Sequence, residues 1–134
     1  MTEQKPILVV AGILHKGDLV LVCQRRRSDP YGLQWEFPGG KVEQNEDLRA
    51  ALRRELEEEL TIQAMIGDQV FRQRYSYPDR YVEVVFFLIT DYRGELHNQV
   101  FEAIEWARPT DLPRYNFLEA DRELVNRIAK GELA

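Results

Sequence analysis

Residues 39–62 read GGKVEQNEDLRAALRRELEEELTI, a pair of glycines followed by a run of strong helix formers. The glycines allow backbone conformations and close approaches that a Cβ would forbid. From about Asp47 the run predicts a helix, and one face of that helix carries a leucine at every fourth position: Leu48, Leu52, Leu56 and Leu60. The stretch therefore predicts a tight turn that leads into a helix packed on a core.

The glutamates of this helix are placed unusually for a surface helix. At about 100° per residue, Glu59 falls among the leucines and Glu55 beside them, while Glu57 faces solvent. A carboxylate on the buried side of a helix costs several kcal/mol unless a cation meets it. Glu55, Glu58 and Glu59 also stand close enough along the helix to repel one another. Divalent cations with oxygen ligands, Mg²⁺ above all, relieve both problems, so the pattern predicts a metal site.

A simpler interpretation of the same residues is a solvated helix face. Glutamates and arginines four positions apart stabilise exposed helices, and Arg53–Glu57 and Arg54–Glu58 have that spacing. This alternative accounts for Glu57, but it leaves Glu59 on the apolar side.

The spacing of these residues resembles the Nudix box. That motif has a glycine, five free positions, a glutamate, seven free positions, arginine-glutamate-aliphatic, one free position, two glutamates, one free position, glycine and an aliphatic residue. The chain matches at Gly40, Glu46, Arg54, Glu55, Leu56, Glu58, Glu59 and Ile62. It departs at Thr61, where the motif has a glycine that ends the helix in a left-handed conformation.

The resemblance extends over nearly the whole chain and is closest to the MutT-like branch. It implies an α/β Nudix fold with a mixed sheet between helices, and one domain over residues 1–134. It also implies Mg²⁺-dependent hydrolysis of (deoxy)nucleoside triphosphates, such as 8-oxo-dGTP or CTP, to monophosphate and pyrophosphate, with Mn²⁺ as an alternative metal. Two other functions stay open: hydrolysis of the 5′-triphosphate end of RNA, and nucleotide sensing without catalysis.

The resemblance also assigns roles within the box. Glu55, Glu58, Glu59 and the carbonyl of Gly39 are expected to hold the metal. Glu58 or Glu59 is expected to accept the proton of the attacking water. Glu46 is expected to pair with Arg54, which orients the carboxylates.

Residues outside the box are expected to contact the nucleotide. Lys41 follows the glycine turn directly and is a compact cation well placed for a phosphate. By resemblance, Arg25 also contacts the nucleotide, and Tyr77 and Arg80 lie beside the base, with an ordinary hairpin tip as the alternative for these two. Phe37 is counted among the substrate contacts, and Trp35 is expected in the core. Arg26 and Arg27 are expected to be solvated residues at a strand exit.

Two further positions differ from MutT-like proteins. Asp121 stands where such proteins usually place a base-reading asparagine. An ionised aspartate only accepts hydrogen bonds, from guanine N1 and N2 or the cytosine amino group. The alternative is a helix N-cap or a first-turn acid favoured by the helix dipole. Val100 stands where a catalytic or metal-binding glutamate is expected, and Glu102 is two positions away.

Composition limits the remaining possibilities. The net charge of −5 argues against a nonspecific binder of nucleic acids or anionic membranes. The one cysteine, Cys23, fits a reducing cytoplasm, and Met1 to Pro6 lack the apolar stretch of a signal peptide. Apolar patterns predict strands at 7–14, 19–24, 69–77, 80–90 and 103–107, and a last helix at 118–130.

Overall fold

The computed structural model describes residues 5–133, so Met1 to Gln4 of the predicted polar N-terminal segment lie outside the described residues. The strands are β1 (Ile7–Lys16), β2 (Leu19–Gln24), β3 (Trp35–Glu36), β4 (Gly39–Lys41), β5 (Gln63–Tyr77), β6 (Arg80–Arg93) and β7 (Ala103–Ala107). The helices are α1 (Leu48–Leu60) and α2 (Arg122–Ala129). Within residues 5–133, no helix has the length and apolar composition needed to cross a membrane.

The strands form a mixed sheet with the order β3-β2-β1-β6-β5. β1 runs parallel to β6, with Val10 opposite Val85, whereas the β1–β2 and β5–β6 hairpins are antiparallel. β4 pairs with β1 and sets Gly39 opposite Ala11, and β7 pairs with β2. The predicted strands are confirmed, with β5 and β6 longer than the sequence pattern indicated.

Both faces of the sheet are covered, because the side chains of β6 alternate between two cores. Val85 and Phe87 pack with the fully buried Leu52, Leu56 and Leu60 of α1. Val84 and Phe86 point the other way and pack with Leu124, Val125 and Ile128 of α2. The predicted arrangement of a mixed sheet between helices is therefore confirmed.

Helix α1 is capped at both ends, by a side chain at its start and by a backbone N–H at its end. Asp47 accepts a hydrogen bond from the backbone N–H of Ala50 at 3.2 Å. At the other end Thr61 takes the left-handed conformation that the motif gives to glycine, with φ of 60°. Its N–H donates to Glu57 O, and its hydroxyl donates to Glu95 O at 2.8 Å. Thr61 therefore ends the helix as a glycine would, with a hydroxyl contact that glycine lacks.

The last helix begins later than predicted. α2 starts at Arg122, and residues 119–121 form a 3₁₀ turn. The prediction of a start at Leu118 is wrong because the segment before the turn is held beside β3. Leu118 donates its N–H to Trp35 O, and Trp35 donates to Asn116 O, both at 2.9 Å.

Candidate active site

A cavity of about 430 Å³ lies between β1, β6 and the segments that flank β3. Its walls bring together residues from distant parts of the chain, including all the residues expected to contact substrate: Arg25, Phe37, Lys41, Tyr77, Arg80 and Asp121. Phe37 is also part of the core, only 3% exposed. Trp35 is half-buried and packs against the same core, in line with its predicted place.

A second cavity of about 330 Å³ adjoins the first and is strongly acidic. Glu55, Glu58 and Glu59 line it, together with Val100 at its rim. Arg25, Glu36 and Glu59 line both cavities. The box carboxylates therefore border the cavity that holds the expected substrate contacts.

The two glycines of β4 let helix α1 approach the sheet closely. A Cβ on Gly40 would overlap the carboxyl group of Glu55, and a Cβ on Gly39 would overlap Val10 O. The N–H of Gly39 also donates to Glu59 Oε1 at 3.1 Å. The glycine pair thus fixes two of the box carboxylates against the backbone of β4.

Arg54 connects the box residues to one another. Its Nε and Nη2 donate to the two oxygens of Glu46 at 2.8 and 2.9 Å, and its Nη1 donates to Glu55 Oε1 at 2.9 Å. Nη2 also reaches Lys41 O at 3.1 Å. The hydrogen bonds from Arg54 lower the pKa of Glu46 to about 2. The contact with Glu58, on which the solvated-face interpretation relied, is longer at 3.5 Å.

The carboxyl group of Glu59 lacks such compensation. Burial raises its pKa to about 9, and the charges of Glu36 and Glu55 add to the rise. Burial also raises the pKa of Glu55, although Arg54 opposes the effect. Among the ion pairs formed within residues 5–133, none includes Glu59. Glu59 is therefore a half-buried acid, set among like charges, that a cation would stabilise.

Asp121 lies on the wall of the larger cavity and is only 5% exposed. Burial raises its pKa well above the usual value, and the charge of Glu36 adds to the rise, while the backbone N–H of Phe37 opposes it. Although Asp121 precedes α2, its side chain makes no capping hydrogen bond there. Side-chain capping is therefore not its role, although Asp121 does lie in the first turn of the 3₁₀ helix at 119–121.

Glu36 is a site residue that the sequence analysis missed. Both of its oxygens accept hydrogen bonds from Arg25 Nη1 at 3.2 Å. Burial raises its pKa to about 7, against the opposing charge of Arg25. A charged residue between Trp35 and Phe37, just before the glycine turn, is the signal that could have identified it.

The comparisons with known proteins agree with this geometry. The NUDIX domain family matches residues 5–128. The chain belongs to the NUDIX family. It is similar to CTP pyrophosphohydrolase of Escherichia coli K12, with 38% identity over 122 residues and 90% of each chain covered. It is also similar to 8-oxo-dGTP diphosphatase of Haemophilus influenzae, with 32% identity over 127 residues, covering 94% of this chain and 93% of that one.

Among solved structures, the NUDIX chain resembles the MutT protein (family Nudix hydrolase) of methicillin-resistant Staphylococcus aureus 252. The two share 32% identity with a TM-score of 0.77, and the match covers 96% of this chain and 99% of that one. The prediction of a MutT-like Nudix hydrolase is thereby confirmed.

In this NUDIX chain the loop before β7 has Val100 at the position where the MutT-like pattern has a glutamate. Val100 is 39% exposed and lines the acidic cavity, whereas Glu102 is exposed and lines neither cavity. Arg26 Nε donates to Val100 O at 2.7 Å. Arg26 is exposed, as expected, and its guanidinium also contacts this loop. Arg27 is exposed, as expected.

The residues of the acidic cavity fit a hard divalent cation, such as the metal that Nudix hydrolases use. Their donors are carboxylate oxygens, and the half-buried Glu59 lies among like charges without an ion-pair partner in the described part of the chain. Within residues 5–133 no three acidic, histidine or cysteine side chains already converge as metal ligands. Glu58, whose side chain is 59% exposed, has room to turn towards an ion held by its neighbours.

Proposed function

We propose that this NUDIX hydrolase converts nucleoside triphosphates to nucleoside monophosphate and pyrophosphate, and that it selects bases carrying an exocyclic amino group. The observation that supports the proposal most directly is a pair of acids, the buried Asp121 and the partly buried Glu36, in the cavity beside the box glutamates. The names of the relatives support the reaction class, since one is a CTP pyrophosphohydrolase and the other an 8-oxo-dGTP diphosphatase.

These two acids suit an amino-bearing base because of the hydrogen bonds that carboxyl groups can form. A carboxylate accepts hydrogen bonds from the amino groups of cytosine, adenine or guanine, whereas uracil and thymine offer no such group. Burial raises the pKa of Asp121 well above its usual value, which allows this acid to hold a proton and donate it to a ring nitrogen or carbonyl oxygen, while Glu36 accepts from the amino group. Cytosine and guanine derivatives, the latter including 8-oxoguanine, present both kinds of partner.

The triphosphate would lie between the cavity and the box. Lys41 and Arg25 line the cavity and supply positive charge for phosphate oxygens. Arg25 already bonds Glu36, so the same guanidinium links the base-reading acids to the phosphate side. Tyr77 is held in the cavity wall because its hydroxyl accepts the N–H of Ala120 at 2.9 Å, and it offers a ring face to the base.

The metal we propose is Mg²⁺, with Mn²⁺ as the alternative, held by Glu55, Glu58, Glu59 and the carbonyl of Gly39. Bound there, it would neutralise phosphate oxygens and lower the pKa of a water molecule. Arg54 keeps Glu55 in place through the bond to its Oε1. Glu59 Oε1 is fixed by the amide of Gly39, which leaves Oε2 to accept the proton of the attacking water, and Glu58 is the other candidate for that role.

We also place the protein in the cytoplasm. Cys23 is free and buried, so the fold needs no oxidising compartment.

The test is a substrate panel with Mg²⁺ that measures pyrophosphate release. CTP, dCTP, dGTP and 8-oxo-dGTP are compared with UTP and dTTP, and 5′-triphosphate RNA tests the alternative. We expect kcat/KM to favour at least one amino-bearing base over uracil and thymine, and Asp121→Ala to reduce that preference. Equal loss for every base in Asp121→Ala would contradict base reading.

Catalysis by the box is tested in the same assay. Glu58→Gln or Glu59→Gln should lose roughly two orders of magnitude or more in kcat, the usual scale for a general base. Glu57→Gln is the matched control, because Glu57 lies on the exposed side of the same helix. Near-normal turnover by both box variants would refute the assignment, and nucleotide binding without turnover by the unaltered protein would favour the sensing alternative.

A further inference from the structure

The loop of residues 25–34, between β2 and β3, is wound tightly by its own backbone. Leu33 donates its N–H to Arg25 O at 3.0 Å, and a Cβ on Gly32 would overlap Arg27 O. Tyr31 and Leu33 take left-handed conformations, with φ of 56° and 66°. Residues other than glycine keep such conformations only where their surroundings fix them. The loop therefore holds Tyr31 in a defined backbone conformation.

The side chain of Tyr31 reaches across to the turn between β5 and β6. Its hydroxyl donates to Asp79 Oδ1. Its ring centroid lies 5.0 Å from that of Tyr77, and the Arg80 guanidinium lies 5.7 Å from the Tyr31 centroid. These contacts join two parts of the chain through side chains, and we refer to the Tyr31–Asp79 pair as the clasp.

The clasp stands at the nucleotide cavity. Tyr31, Tyr77 and Arg80 all line that cavity, whereas none of them lines the acidic cavity of the box. The loop that carries Tyr31 is also tied to the base-reading acids, since Arg25 bonds both Pro30 O, at 2.8 Å, and Glu36. The position of the Tyr31 ring is therefore coupled to the wall against which a base would lie.

We propose that Tyr31 is a substrate-positioning residue: held by Asp79, its ring forms a wall of the cavity that closes on the nucleoside of the bound triphosphate. This inference rests on the proposed function. Because Tyr31 does not line the acidic cavity, the clasp acts on nucleoside binding and leaves the hydrolytic step unchanged.

A double-mutant cycle tests the clasp. Tyr31→Phe removes the hydroxyl but keeps the ring, and Asp79→Ala removes the acceptor. We expect each variant to raise KM by roughly threefold to tenfold, the scale of one hydrogen bond, with kcat unchanged. Asp79→Ala also removes the bond from Arg80 Nη2 to Asp79 Oδ2 at 3.0 Å, so the double variant should match Asp79→Ala, because Tyr31→Phe has no further interaction to remove once Asp79 is lost. Asp79→Asn should restore binding since its amide oxygen still accepts, and Tyr31→Ala should weaken binding further because the ring is lost.

The control and a second measurement separate this inference from the proposed function. Tyr92→Phe is the matched control, because Tyr92 packs against the core of the α1 side and lines neither cavity. Dissociation constants for CMP and GMP, measured by calorimetry, should change in parallel with KM. If the unaltered protein hydrolyses no triphosphate, the proposed function fails. The dissociation constants alone then show whether the clasp contributes to nucleoside binding.

Three results would contradict the proposed role of the clasp. One is a double variant whose effects on KM multiply, which would mean that Tyr31 and Asp79 act separately. Another is a fall in kcat with KM unchanged. The third is nucleotide binding by Tyr31→Phe and Tyr31→Ala that equals that of the unaltered protein.

Discussion

The carboxyl group of Glu55 lies against the α carbon of Gly40, in the space that a Cβ at position 40 would fill. This contact explains why the box begins with glycine: the residue makes room for an acid that reaches it from helix α1. The same acid is held on its other side by Arg54, at 2.9 Å. Glu55 is thus confined between a backbone and a guanidinium, which presets its orientation for a metal.

Gly40→Ala should displace Glu55 without unfolding the protein. We expect a loss of roughly tenfold to a hundredfold in activity or metal affinity, the usual effect of disturbing a ligand's support. The measurement is a Mg²⁺ titration of pyrophosphate release. Gly17→Ala is the control, because Gly17 has positive φ but open space around it, so its substitution strains only the turn. Identical Mg²⁺ dependence in Gly40→Ala and the unaltered protein would contradict the role of this contact.

Arg54→Lys should be nearly as damaging as Arg54→Ala, although it keeps the charge. The guanidinium donates to both oxygens of Glu46 and also to Glu55. A lysine ammonium cannot form all three hydrogen bonds in the same geometry. We expect kcat/KM to fall roughly tenfold to a hundredfold in either variant. Arg53→Lys, at an exposed neighbouring position, provides the comparison. Full activity of Arg54→Lys would show that charge alone is sufficient.

Much of the fold and of the acidic cavity could be predicted because the information is local. The leucine period and the glutamate positions lie within one helix, and their geometry follows from the helical repeat. The pairing of Glu46 with Arg54 was expected from the motif, and the structure has both hydrogen bonds. The resemblance likewise implied a sheet between helices, and both faces of β6 are covered.

The parts that could not be predicted depend on contacts between distant segments. Thr61 keeps a glycine-like conformation, and its hydroxyl bonds Glu95 O. Glu36 and Asp121 influence each other's charge only because β3 lies beside the segment before α2. Because of the same backbone contact, α2 begins at Arg122, later than predicted. Nothing in the local sequence around any of these residues indicates its partner.

Asp121 should make stability depend on pH. Burial raises its pKa well above the usual value, so the folded protein keeps a proton that the unfolded chain releases near pH 4. Its contribution to the free energy of unfolding is present below that pH and is lost as the pH rises towards the folded-state pKa. An asparagine at this position would mimic the neutral acid, so Asp121→Asn should gain stability relative to the unaltered protein as pH rises.

Urea unfolding at about pH 5 and about pH 8 measures this difference. We expect the free energy of unfolding of Asp121→Asn to exceed that of the unaltered protein by more at the higher pH. Asp68→Asn, at an exposed position, is the control. A difference that does not change with pH would mean that Asp121 is ionised in the folded protein.

Val100 offers a gain-of-function test of the acidic cavity. Its side chain is 39% exposed at the cavity rim, and its backbone is fixed by Arg26. A glutamate at this position, as expected from the MutT-like pattern, would add a carboxylate next to Glu58 and Glu59. Val100→Glu should therefore lower the Mg²⁺ concentration needed for half-maximal activity, because more oxygen ligands surround the site.

The same substitution can show which group accepts the proton. In a Glu59→Gln background, Val100→Glu should recover part of the lost kcat if a nearby carboxylate can take over as base, whereas Val100→Gln should recover none. Glu102→Gln should leave activity unchanged, since Glu102 is exposed and lines neither cavity. Loss of activity in Glu102→Gln would show instead that this loop rearranges when substrate binds and brings Glu102 to the position that Val100 occupies here.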